Sequence, residues 1–167
     1  INCHGFFIFA LIPKNNDTQI IEKMAQVNPY LTFNGNCEAA FNFYKSVFGN
    51  EFADINYFKD MPPVEGKTMP AEEGGRIMHV VLPISKETNL FGSDTGGEWA
   101  SNYKEGNNIT ISLNAESEEE ATKLFNGLSA GGRVTMPLEK TFWGAYFGMF
   151  TDKFGINWMV NFDYPKN

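Results

Sequence analysis

At 167 residues, with 43% apolar content and sixteen Phe, the chain has material for one buried core and about one domain. The formal net charge is −7 and arginine occurs only at Arg76 and Arg133, so the basic face that neutralises phosphates or anionic lipid headgroups is missing. Neither nucleic acid nor a membrane surface is an expected partner. Cys3 and Cys37 form no CxxC pair and are too few for a disulfide framework, which fits a reducing cytoplasm.

The chain opens with the apolar run "GFFIFALIP", closed by Pro13 and followed by "KNNDTQ". The run is too short to span a bilayer, and "INCH" before it lacks the basic segment of a secretory signal. Composition changes at "MAQVNPYLTF", which starts at Met24. Residues 1–23 are therefore read as an extension, with Met24 as the natural start and residues 24–167 as a single domain. The alternative is an ordered N-terminal element packed on that domain.

From Asn28 onward, the β-rich "PYLTF" leads through the turn "NGN" into "CEAAFNFYKSVF". There Cys37, Ala40, Phe41, Tyr44 and Phe48 form one helical stripe, with Asn36 as N-cap and Gly49 as the stop. Cys37 is read chiefly as a small core residue; the rival reading is a thiol activated by the helix N-terminus. Strands are predicted at "EFADINYF", "RIMHVVLPI" and "TNLFGSD", with a Pro- and Gly-rich loop from Lys59 to Gly75 between the first two. That loop's "MPPVEGKT" lacks the leading glycine and the strand-to-helix setting of a phosphate-binding loop.

The pattern then restarts. "NITISL" alternates, and "SEEEATKLFNGLSAGG" carries a Ser117–Glu120 capping box, an Ala121, Leu124, Phe125, Leu128 stripe and closing glycines. Short β segments near "RVTM" and "TFW", then "AYFGMFTD" and "INWMVNF", complete a second βαβββ unit. Asn36 and Ser117, Ala40 and Ala121, and Tyr44 and Phe125 all keep an offset of 81 residues, which marks an internal repeat. Module one covers about residues 28–94 and module two about 107–163.

"NPYLTFNGNCEAAFNFYKSVFG" and "TFWGAYFGMFTDKFGINWMVNF" resemble the opening and closing signatures of PhnB-like proteins. These form a branch of the vicinal oxygen chelate superfamily, which includes glyoxalase I and the bleomycin- and fosfomycin-resistance proteins. "MHVVLPI" and "LFGSD" resemble the middle, and the likeness spans about residues 27–163. It implies an α+β fold of two βαβββ modules whose mixed sheets form a cup, helices outside and site inside, assembled as a homodimer. Metal-using relatives hold a divalent cation with His and Glu on the first and last strands of each module. By counting, those positions fall on Pro29, at or beside Leu90, near Asn108 and on Met159. Pro, Leu, Asn and Met do not suit a hard or borderline cation, so no divalent metal and no cofactor is expected.

Strand alternation then gives an expected lining. Asn108, Thr110 and Ser112 point into the cup while Ile109, Ile111 and Leu113 pack under the second helix. Leu31 and Phe33 go with Pro29, Gly92 and Asp94 with Leu90, and Asn157 and Asn161 with Met159; Trp143 sits at the rim. Such a wall suits a small organic molecule. His79 and Asp94 form a candidate acid–base pair, although a lone strand histidine is commonly structural. The leading expectation is a metal-independent small-molecule binding protein. The alternatives are an enzyme, either metal-free through His79 and Asp94 or metal-dependent through relocated ligands, and an interaction module with a vestigial cup. The Gly-rich turn of a dinucleotide or S-adenosylmethionine fold is missing.

Overall fold

The structure, a computed structural model, describes residues 25–62 and 70–165. The expectations for residues 1–23 lie outside the described residues. The element order is β1 (Tyr30–Phe33), α1 (Cys37–Phe48), β2 (Asp54–Tyr57), α2 (Ala71–Gly74), β3 (Ile77–Pro83), β4 (Asn89–Asp94), then β5 (Ile111–Asn114), α3 (Glu118–Ser129), β6 (Arg133–Lys140), β7 (Ala145–Thr151) and β8 (Asn157–Asp163). Two four-stranded mixed sheets result, ordered β1-β4-β3-β2 and β5-β8-β7-β6, with no strand pairing between them. In each sheet the first and last strands run parallel and the other pairs antiparallel.

The two long helices begin by different means. Ser117 Oγ accepts from the Glu120 amide at 3.1 Å, and the Glu120 carboxylate accepts from the amide of Glu116 at 2.8 Å. The reciprocal capping contact thus reaches one residue earlier than the standard box. Asn36 makes no side-chain cap to α1; Asp94, at the end of β4, accepts from the amides of Gly35 and Cys37 instead. Gly49 closes α1 at φ +78°, its amide donating to the Lys45 carbonyl, a left-handed conformation that glycine adopts without strain.

One core runs through both modules. Ala40, Tyr44, Ala121 and Leu128 have no exposed surface, nor have Val80, Leu90, Trp158 and Val160 from the strands beneath them. The repeat is visible here as two helices, 37–48 and 118–129, offset by 81 residues. The sheet contacts differ in one respect. Gly92 of β4 faces Val80 of β3, whereas Val160 of β8 faces Gly148 of β7. A Cβ on Gly92 would lie 2.2 Å from the Phe41 ring of α1, and one on Gly148 would lie 2.6 Å from the Phe125 ring of α3. The two modules therefore place the glycine that admits the helix aromatic on opposite strands of the pair.

The modules meet through α1, α3 and the β7–β8 turn. Phe43 packs against Phe154, Tyr44 and Phe48 against Trp158, and the small Gly127 of α3 sits against Val47. Among the described residues, no helix is long and apolar enough to cross a membrane.

Candidate functional site

Among the described residues, each sheet has one face covered by its long helix and one that neither α1 nor α3 covers. On β1, Leu31 and Phe33 pack into the core, Phe33 edge-on to Phe41, while Tyr30 is 52% exposed. On β4, Leu90, Gly92 and Asp94 are buried and Phe91 and Ser93 half-buried. The expected phase in module one is thus corrected by one residue. Leu31, Phe33, Leu90 and Asp94 lie on the helix side, and Tyr30, Thr32, Phe91 and Ser93 take the other face. The reason is hydrophobic: the alternation that buries Phe33 and Leu90 under α1 also carries their strand-mates inward.

Asp94 also leaves the expected acid–base pair. Its Oδ1 accepts from Gly35 and Cys37, and its Oδ2 from the Ile77 amide at 2.9 Å. At 4% exposure it is a buried tie between β4, β3 and the start of α1, on the face opposite His79. Cys37 is likewise no nucleophile: burial first, then the nearby Asp94 charge, pushes its thiol pKa far up, opposite to what an activated thiolate requires.

His79 lies on the helix-free face within a group of rings. Its centroid is 6.0 Å from Tyr30 and 5.7 Å from Phe91, and Tyr30 and Phe91 are 6.4 Å apart; the three planes lie within 28° of parallel. Beside it on β2, Asn56 pairs with His79 and donates to Asp54 at 2.6 Å. The sheet therefore presents a cluster of near-parallel rings with an amide and a carboxylate at one edge. The composition of the strands showed the rings; their phase could be read only once the buried set was assigned correctly.

In module two burial alternates along β8, and β5 starts later than expected. Trp158 and Val160 are buried, and Asn157, Met159 and Asn161 are half-buried on the other face. Ile111 and Leu113 pack on the core and Ser112 faces Met159 across the ladder. Ile109 departs from expectation: it is 76% exposed, because β5 begins only at Ile111, and Asn108 and Thr110 precede the strand. The Ile109 carbonyl accepts from Asn157 Nδ2. Trp143, 53% exposed, stands at the β6–β7 hairpin with its ring 4.8 Å from Phe142 and 6.0 Å from Phe147.

A cleft of about 370 Å³ joins the modules where Thr32 meets the 102–106 connection and the β7–β8 turn at Phe154 and Ile156. Among the described residues, no three His, Cys, Asp or Glu side chains gather as metal ligands. Of the positions that the family resemblance counts as metal ligands, Pro29 and Asn108 lie outside the strands, Leu90 lies in the core and Met159 lies on the helix-free face.

Comparison with known proteins agrees with this architecture. Residues 26–160 match the model of the Glyoxalase/Bleomycin resistance protein/Dioxygenase superfamily, and the chain belongs to that superfamily. It is 30% identical over 137 residues to protein YjdN of Escherichia coli K12, covering 81% of this chain and 93% of YjdN. The crystal structure of protein PA1353 from Pseudomonas aeruginosa is similar at 42% identity and a TM-score of 0.71, over 84% of this chain and 98% of that one. The PhnB protein of Bacillus cereus, described as a candidate 3-demethylubiquinone-9 3-methyltransferase, shares the fold at 24% identity and a TM-score of 0.64, over 83% and 99% of the two chains.

Proposed function

We propose that the protein binds a small, planar organic molecule directly, without a bridging divalent cation, on the helix-free faces of its sheets. The observation that supports this is the Tyr30, His79 and Phe91 platform. Three near-parallel rings, one of them half-exposed, form an aromatic cluster against which a conjugated ring packs in offset or edge contact. Asn56 and Asp54 at the platform's edge supply an amide and a carboxylate, which favour a ligand carrying hydrogen-bond donors or positive charge. Thr32 continues the same face into the cleft between the modules, leaving room for a ligand longer than one ring. The acid–base alternative loses its acid with Asp94 tied to three amides.

The test is a thermal-shift screen of aromatic metabolites and planar antibiotics against the chain and its Tyr30→Ala and Phe91→Ala variants, since a ligand that binds only the folded state raises stability by mass action. A hit should quench Tyr or Trp fluorescence, saturate without added metal, and weaken by about tenfold in Tyr30→Ala, as expected for the loss of one aromatic stacking contact. Hits that bind both variants as tightly as the unaltered chain would count against the platform.

A further inference from the structure

We infer that the helix-free face of the second sheet is a binding site for a soft monovalent cation of the Cu(I) type, held by the thioethers of Met136, Met149 and Met159. The chain has seven methionines, and three of them share one row across three adjacent strands. Met136 on β6 is the ladder partner of Met149 on β7, and Met149 is in turn the partner of Met159 on β8. Neighbouring strands lie about 4.8 Å apart, and methionine is unbranched with three rotatable bonds. The outer two side chains can therefore lean over the middle one.

These methionines are not core filler. Phe150, Trp158 and Val160, their neighbours in sequence along β7 and β8, are buried in the core, whereas Met136, Met149 and Met159 are half-buried and do not pack against it. Met136 also reaches that face against simple alternation. Leu138, two residues on, packs on the core, so strict period two would turn Met136 inward as well. The β6 ladder is instead irregular on both sides of Met136, between Val134 and Met136 and between Met136 and Glu139. Irregularities of this kind re-aim a side chain, and this pair sets Met136 opposite Met149.

Thioether sulfur is a soft, neutral donor that selects Cu(I) over the hard and borderline divalent ions. The row holds no charged hard ligand: its fourth member, on β5, is the neutral Ser112 hydroxyl. In the flanking rows, Glu139 lies opposite Phe147 and Arg133 opposite Thr151, so the local charge is balanced and the thioethers decide affinity. The methionine row is independent of the ring platform, which belongs to the other sheet.

The experiment uses the full chain with Cys3→Ser and His4→Gln, which removes soft donors of the N-terminal segment, and with methionine methyls labelled with carbon-13. Ag(I) is titrated in chloride-free buffer as a redox-stable stand-in, and Cu(I) is then added anaerobically against a chromophoric chelator. One cation per chain should bind, shifting the methyl resonances of Met136, Met149 and Met159 while those of Met61 and Met78 stay in place. Zn²⁺ should move none of them. Met149→Leu, close in volume, should keep the melting temperature and lower Ag(I) affinity by about tenfold or more through loss of a soft donor; Met78→Leu should leave affinity unchanged. Unmoved methyls in the three-residue row, equal shifts at all the methionines, or full affinity in a folded Met149→Leu would each overturn the assignment. The methyl shifts alone decide the matter if Met149→Leu does not fold.

Discussion

Tyr44 in α1 donates its hydroxyl to Asp152 Oδ2 at 2.7 Å, 108 residues away in the β7–β8 turn, and both groups are buried. The same carboxylate accepts from Trp158 Nε1 and from the amides of Phe154 and Ile156. One aspartate thus satisfies the turn that enters β8, the largest core side chain, and the first module's helix. Tyr44→Phe removes one donor and leaves three, so it should lower stability by about 1–2 kcal/mol. Asp152→Ala removes the acceptor of all four donors, two of them fully buried, and should lower it by roughly 3–5 kcal/mol. Chemical denaturation of the two variants measures the difference; equal losses would mean that Asp152 acts through Tyr44 alone.

Tyr44 and Cys37 should make the fold sensitive to alkali. Burial first, then Asp152, raises the Tyr44 pKa, and burial first, then Asp94, raises that of Cys37. In the unfolded chain these groups ionise near about 8.5 for the thiol and about 10 for the phenol. Because the folded values are raised, the associated stability is fully present below the unfolded values and is lost as pH climbs from them towards the folded ones. Denaturation midpoints should therefore fall from about pH 8.5 upward. Cys37→Ala should flatten the lower part of the decline and Tyr44→Phe the part above about pH 10. A midpoint that stays level from about pH 8 to 11 contradicts both assignments.

Gly92 is required by space. Its added Cβ would lie 2.2 Å from the Phe41 ring, so Gly92→Ala should cost about 2–3 kcal/mol by overpacking. Part of that loss should return in the double variant with Phe41→Leu, because the two sites touch. Gly75 is the control: an added Cβ there would meet nothing within 4 Å, and its φ is −81°, so Gly75→Ala should change little.

Assembly as a homodimer is a further expectation, and the hairpin of the second module supports it. Phe142 is 98% exposed and Trp143 53% exposed, side by side, and exposed aromatic pairs of this kind favour association. Sedimentation at micromolar concentration should give a dimer, and Phe142→Ser with Trp143→Ser should shift it towards monomer. A monomeric unaltered chain would dispose of the idea.

Hard and borderline divalent cations should leave the fold indifferent. With Pro29, Leu90, Asn108 and Met159 at the positions that the resemblance counts as ligands, Zn²⁺, Ni²⁺, Mn²⁺ and Fe²⁺ should not change the melting temperature of the Cys3→Ser, His4→Gln chain. A chelator-reversible rise with one such ion per chain would refute the expectation.

How far the sequence reached depends on which signal each residue carried. The helices were legible because Ala40, Tyr44, Ala121 and Phe125 repeat an apolar stripe at one offset, and β8 because Trp158 and Val160 can bury only together. In "YLTF" both alternating sets contain an aromatic, so the pattern is nearly symmetric. Counting from an aligned ligand position then chose the wrong face for Leu31 and Phe33. Asp94 looked like a site acid because nothing local shows that its oxygens are taken by amides 17 to 59 residues distant. The methionine row was hidden for a related reason: two ladder irregularities in β6 cancel the alternation by which Met136 would be placed.

The exchange of glycine between the pairs Val80 with Gly92 and Gly148 with Val160 bears on the history of the duplication. With one half's notch on the last strand and the other's on the strand before it, neither hairpin should fit in place of its counterpart. A transplanted β7–β8 hairpin would bring a valine under Phe41, where only a hydrogen fits, and would open a void one strand over. The two hairpins are therefore alike in topology and unlike in the space each leaves for a helix aromatic.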